Sequence, residues 1–352
     1  MAHLARRDRF QNHAQLGFID WVLRGIAQVV FQNNPISGVV ILAAIFYNSW
    51  IYGIACLFGT TISTITALLF KADKSLIKNG LFGFNGALIA VALVAYTSPN
   101  FTTGNMPNLH LWLYIVLCAA FATVITPALG ALLGPHKVPG LTMPFVLATW
   151  FFLGALLQFS TIDVSNALKP TSPSDFTGPR PEYNWITWFQ GITMGIAEIF
   201  FQDNWVTGVI ILIGIAINTR IGALMALMAL MGSTLAVAGA VFYGAHDEAI
   251  RDGLFGYNAA LTAMALGGLF LVLNVEGFIY TVIGILVTAR VWASLGVFLE
   301  PSGMPVLTAA FVSVTWLMLL AKGAFPGLIA VAPSDAMTPE DNLWRYRSKL
   351  KR

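Results

Sequence analysis

The segment Gly25-Ile-Ala-Gln-Val-Val-Phe-Gln-Asn-Asn-Pro-Ile-Ser-Gly38 returns without a gap as Gly195-Ile-Ala-Glu-Ile-Phe-Phe-Gln-Asp-Asn-Trp-Val-Thr-Gly208. Two more blocks follow in the same order. Gly80-Leu-Phe-Gly-Phe-Asn-Gly-Ala-Leu88 pairs with Gly253-Leu-Phe-Gly-Tyr-Asn-Ala-Ala-Leu261, and Pro139-Gly-Leu-Thr-Met-Pro-Phe145 pairs with Pro305-Val-Leu-Thr-Ala-Ala-Phe311. Collinear blocks of this kind mean an internal duplication. If each copy crosses a membrane an odd number of times, the copies insert in opposite senses and are related by a pseudo-two-fold axis in the membrane plane.

The sequence around these blocks suits a membrane. Hydrophobic residues make up 57% of the chain and charged residues 10%, where a soluble domain carries roughly 25% charge. Mean hydropathy is +0.75. A chain of 352 residues holds about ten crossings of roughly 20 residues each, which leaves no room for a sizeable soluble domain. No charge occurs between Gly25 and Phe70, a run too long for one span. Inside it lies Gln32-Asn33-Asn34-Pro35, and polar, helix-breaking sequence at membrane depth survives only when buried in protein or lining a cavity. The break therefore predicts a re-entrant or broken helix.

Apolar runs at 38–58, 59–70, 81–97, 110–134 and 143–160 precede a polar, proline-rich stretch. Runs at 185–202, 206–242, 254–272, 275–298 and 303–333 follow it. The expected fold is an all-α membrane protein of two inverted homologous halves, each with about five transmembrane helices and one re-entrant half-helix. Residues 17–160 form the first repeat, 161–184 the linker and 185–333 the second repeat, between an N-terminal segment at 1–16 and a basic tail at 334–352. The ends are basic (Arg6, Arg7, Arg9; Arg345, Arg347, Lys349, Lys351, Arg352), which places both termini in the cytoplasm by the positive-inside rule. The first residues lack the short apolar core and cleavage site of a signal peptide, so the first apolar segment is expected to be retained. Cys56 and Cys118 lie in apolar runs and read as small hydrophobes. The formal charge of +3 comes from the ends, so a nucleic-acid partner has no support.

Where both halves present the same polar signature within apolar sequence, a symmetric arrangement brings the copies together near the bilayer midplane, where discontinuous helices build substrate sites. That criterion selects Gln28 with Glu198 and Thr142 with Thr308. Gln28 reads equally as glue between helices, whereas a carboxyl in an apolar segment marks a pathway by default. The threonines follow proline-containing turns, and their hydroxyls either cap half-helices or face a solute. The repeated glycines read as close helix packing. The aromatics Phe31, Phe201, Phe84 and Tyr257 recur beside the polar pair, which favours a pore lining over a lipid-facing role.

These three paired blocks resemble those of the urea transporters, over about residues 17–333. The resemblance implies a homotrimer in the cell membrane, each protomer carrying its own channel between two inverted five-helix halves, through which urea passes down its gradient. Carried over residue by residue, it puts Gln28 and Glu198 at the pore centre with Thr142 and Thr308 beside them. Val29, Phe31, Phe84 and Leu88, with Ile199, Phe201, Tyr257 and Leu261, then fall in the flanking apolar slots. Urea is planar, with four N–H donors and one carbonyl acceptor, so an aromatic slot admits it edgewise while a line of oxygens replaces its lost water. Tyr257 opposite Phe84, and the absence of a counterpart to Pro144, put the symmetry of the two constrictions in doubt.

Other classes fit less well. An ammonia pore built on paired histidines is not matched by His3, His13, His110, His136 or His246, none of which lies in a repeated block. An ion-coupled secondary transporter, or a channel for related amides or ammonia, is the alternative. Coupling is the weaker reading because it calls for more than one intramembrane ionisable group, and Glu198 looks nearly alone as one. No HExxH, GxSxG or GxxxxGK[ST] run supports an enzyme, and no metal or cofactor is implied.

Overall fold

The computed structural model describes residues 10–13, 16–97, 108–165, 168, 170, 181–217, 224–336 and 338–350. Among these the chain is helical between its turns, apart from one isolated bridge between Leu271 and Ala330. It forms two compact units: Met1–Leu129 with Thr142–Leu168, and Gly130–Leu141 with Lys169–Arg352.

The first unit opens with α1 (Gly17–Gln28), which ends where the apolar run meets its polar break. Asn34 then starts α2 (Pro35–Asn48) by accepting the Ile36 N–H, with proline at the first helical position, where its missing donor costs nothing. The continuous apolar run at 38–58 is in fact two helices. Ser49 is extended, closes α2 and caps α3 (Trp50–Leu69), so a single serine sets a boundary that hydropathy did not mark. After α3 come α4 (Lys74–Lys78), α5 (Gly83–Thr97), α6 (Leu109–Leu133) and α7 (Met143–Leu156).

The second unit repeats this succession. Its α8 (Trp185–Ala197) begins at an Asn184/Thr187 capping box and runs into a 3₁₀ turn at Glu198–Phe200, and α9 (Trp205–Ala216) follows under the Asn204 cap. The two segments, Trp185–Phe200 and Trp205–Ala216, bend by 71°. Then come α10 (Leu224–Phe242), α11 (Asp247–Arg251), α12 (Gly256–Ala263) continuing as a π-helical stretch to Phe270, α13 (Val275–Leu299) and α14 (Ala309–Ala321). The run at 206–242 therefore also holds two helices. The C-terminal segment, expected only as a basic tail, forms α15 (Pro339–Leu350) and is anchored within its unit. Glu340 accepts the Leu224 N–H and Asn342 donates to Leu269 O.

Among the described residues, five helices are long and apolar enough to cross a membrane, or six if the bent pair counts as one span. The helices α2, α5, α7 and α14 are shorter, at 13–15 residues. At about 1.5 Å per residue they fall short of a hydrocarbon core of roughly 30 Å. The expected re-entrant break lies between α1 and α2, but short apolar helices are more numerous than the sequence suggested. The proposed linker at 161–184 falls largely outside the described residues.

Tight helix crossings follow the repeated glycines. A Cβ on Gly25 would stand 3.2 Å from Gly83 Cα, and one on Gly195 would stand 2.9 Å from Gly256 Cα. In both units this lets the backbone of the first helix touch that of the fifth element, α5 or α12.

Candidate functional site

Each unit builds the same half-site from the same local devices. In the first unit α1 closes in a Schellman arrangement: Gln32 N–H donates to Ala27 O at 3.0 Å and Phe31 N–H to Gln28 O at 3.0 Å. The residue that must then take the left-handed conformation is usually glycine, but here it is Phe31, at φ 62°. In the second unit Gln202 N–H donates to Ala197 O at 3.3 Å, Phe201 N–H donates to Glu198 O at 3.0 Å, and Phe201 stands at φ 59°. Gln32 and Gln202, both buried, brace these turns by donating to Val30 O and Phe200 O. The other left-handed residues pair off across the repeat as well: Lys71 with Gly244, Gly80 with Gly253, Lys137 with Gly303, and Leu141 with Leu307.

A left-handed L-residue costs roughly 1–2 kcal/mol, and such strain persists where the surrounding structure over-determines it. Phe31, Phe201, Leu141 and Leu307 carry it beside the candidate polar residues. Gln28 and Glu198 each sit three residues before a strained phenylalanine, and Thr142 and Thr308 directly follow the strained leucines.

Thr142 and Thr308 are buried and hold the N-cap positions of α7 and α14, yet neither makes a side-chain capping bond. The reason lies in two asparagines that were quoted in the motifs but not selected. Phe145 N–H, the third in α7, donates to Asn85 Oδ1 at 3.2 Å, and Phe311 N–H, its equivalent in α14, donates to Asn258 Oδ1 at 2.9 Å. The orphan donor that an N-cap hydroxyl would take is thus satisfied from the neighbouring helix, and the threonine hydroxyls are not spent as caps. The recurrence of Asn in Gly-Leu-Phe-Gly-Phe/Tyr-Asn was the signal for this role.

Gln28 donates through Nε2 to Asn79 O at 2.9 Å, which leaves its Oε1 as an acceptor. Asn79 in turn accepts from Asn33 Nδ2 at 3.1 Å and from Gln11 Nε2 at 3.0 Å. Behind them lies a buried ion pair, Arg24 Nε to Asp20 Oδ2 at 2.6 Å, with Arg24 Nη1 also donating to Asn33 Oδ1 at 2.6 Å. The repeat replaces this amide set with acids: Gln28, Asn33 and Asn79 correspond to Glu198, Asp203 and Asp252. The carboxylates of Asp252 and Asp203 act electrostatically on Glu198, and no cation forms an ion pair with Glu198 among the described residues. Arg24 has Met194 at its repeat position. The expectation that Glu198 is nearly the only ionisable group on these apolar elements is therefore corrected. The Asp20–Arg24 pair lies in α1, and Arg290 lies within α13.

The apolar candidates differ in exposure. Val29, Leu88, Ile199, Tyr257 and Leu261 are buried, while Phe31, Phe84 and Phe201 are half-buried. Tyr257, which stands where the first repeat has Phe84, has its hydroxyl engaged with the backbone and with Trp292. It donates to Leu307 O at 2.6 Å and accepts from Trp292 Nε1 at 3.1 Å, while Asn258 Nδ2 donates to the same carbonyl at 3.0 Å. In the first unit Phe84 has no hydroxyl to offer, and the buried Asn85 Nδ2 has no hydrogen-bond partner. The two half-sites thus share a backbone plan but differ in charge and in how firmly their threonine turns are tied. No group of His, Cys, Asp and Glu that could hold a metal ion occurs among the described residues.

The family profile described as "Urea transporter" matches residues 19–323. Urea transporter 1 of Ovis aries is 33% identical over 341 residues, covering 96% of this chain and 85% of the sheep protein. Urea transporter 1 of Rattus norvegicus is 31% identical over 345 residues, with the same coverage. On the extent of these matches, and on helices fit to cross a membrane, the chain belongs to the urea transporter family.

Proposed function

We propose that this protein conducts urea passively across the cell membrane, through a pore formed where the two half-sites face each other as inverted repeats. The observation that carries the reading is the doubled device itself. In each unit a strained aromatic turn sets a polar side chain, Gln28 or Glu198, at a helix end, and an asparagine from a neighbouring helix accepts the backbone N–H beside a buried N-cap threonine. Gln28 Oε1, the Glu198 carboxyl and the two threonine hydroxyls can then act as successive acceptors for urea N–H groups. Phe31 with Phe84 and Phe201 with Tyr257 form flat apolar slots, within reach of Val29, Leu88, Ile199 and Leu261. A pore of this kind strips water from a planar solute and returns hydrogen bonds along one edge, with no covalent chemistry and no cofactor. The assembly is a homotrimer with both termini cytoplasmic, each protomer conducting independently.

The second reading, an ion-coupled carrier, draws on the acidic set Glu198, Asp203 and Asp252, since intramembrane carboxyls serve proton and cation relays. The two readings separate in stopped-flow urea flux measured in proteoliposomes. For the pore, wild type exceeds empty liposomes, Glu198→Gln lowers flux by about fivefold, the difference between hydrogen bonds to charged and neutral acceptors, and Phe84→Ala weakens discrimination between urea and bulkier amides. Wild-type flux equal to that of empty liposomes would refute the reading. Unchanged flux in Glu198→Gln would remove only the role given to the carboxyl.

A further inference from the structure

Arg290 lies well within α13, at the position where the first repeat has Val124 in α6. It is exposed on the surface of its helix, and a cation on a membrane helix is costly unless it reaches a polar layer or a counter-charge. Its surroundings are shaped to receive it. Nη1 donates to Leu286 O at 2.8 Å, and the guanidinium lies 5.0 Å over the Tyr243 ring. A Cβ on Gly239 would stand 2.8 Å from Nη1 and 2.9 Å from Nη2, so glycine makes the room where the first repeat has Thr66. No carboxylate forms an ion pair with Arg290 among the described residues, and Asp247, next in sequence to the lining residue His246, is engaged with Arg251 at 2.7 Å. The cation borders a cavity of about 610 Å³, lined also by Tyr243, His246, Phe255, Trp292 and Val297. Tyr243 in this lining, and Phe242 and Phe298 next in sequence to lining residues, are each more than 70% exposed. A cation beside interfacial aromatics, opening onto apolar surface, is the arrangement by which pockets between membrane helices hold acidic headgroups.

We propose that this cavity binds an anionic phospholipid, its phosphate paired with Arg290 and its acyl chains lying along Val297 and Phe298. The guanidinium supplies charge-assisted donors to phosphate oxygens, and the Tyr243 ring holds its plane. The proposal stands whatever solute the protein conducts.

The test uses the full chain in micelles doped with phosphatidylglycerol or phosphatidylcholine, with bound lipid counted by native mass spectrometry. Wild type is expected to retain phosphatidylglycerol preferentially. Arg290→Val, which installs the residue of the first repeat and so suits a membrane helix, is expected to weaken that binding about fivefold, as for loss of one cation near an acidic headgroup. Arg290→Lys should keep most of it. Equal retention of the two lipids by wild type, or equal phosphatidylglycerol binding by wild type and Arg290→Val, would overturn the proposal. So would a change confined to oligomer mass in Arg290→Val, because the cavity would then belong to a contact with a second copy of the chain.

Discussion

Phe31 and Phe201 pay for their positions in backbone strain. Glycine takes a left-handed φ without a steric cost, so an alanine at either site keeps the strain and loses the ring, whereas a glycine loses the ring and relieves the strain. Phe31→Gly is therefore expected to be more stable than Phe31→Ala by about 1 kcal/mol, with the same order at Phe201. Thermal unfolding of the purified variants in detergent reads it out, and an Ala variant as stable as the Gly variant would show that the turn relaxes. Hydropathy and repetition exposed the polar residues at this scale, since Gln28 and Glu198 stand out in apolar sequence. The strain was not legible, because φ depends on the Schellman closure of the helix, which residue identity alone does not reveal. Arg290 was passed over for a related reason: it lies outside the repeated blocks that directed attention elsewhere.

Between elements, the asparagines of α5 and α12 matter more than their helices' hydrophobicity. Asn258 serves α14 twice, accepting from Phe311 N–H and donating to Leu307 O, whereas Asn85 accepts from Phe145 N–H and leaves Nδ2 unpaired. Asn258→Ala is accordingly expected to destabilise the protein by about 1 kcal/mol more than Asn85→Ala, one net hydrogen bond. Equal losses in chemical denaturation would contradict the asymmetry. Helix boundaries were the least readable feature. The runs at 38–58 and 206–242 look continuous in hydropathy, and the first is divided by one extended serine, Ser49. The close crossings were readable, because paired glycines such as Gly25 with Gly83 have few other uses in apolar helices.

Across the whole chain, duplication was the feature that sequence reasoning reached most directly, through three blocks in one order. The structure adds that the copies share left-handed positions as well as residues, down to Leu141 and Leu307, which sequence similarity alone would not single out. It also adds that the copies diverge in charge, with Gln28, Asn33 and Asn79 facing replacement by Glu198, Asp203 and Asp252. That divergence is what keeps a coupled carrier in contention with a passive pore, and it makes gradient dependence the decisive property. Initial urea flux into proteoliposomes, measured with and without imposed proton and sodium gradients over a wide range of urea concentration, tests the account most directly. A passive pore predicts flux above empty liposomes that rises in proportion to urea and ignores both gradients. Flux that saturates at low urea, or that follows either gradient, would contradict it.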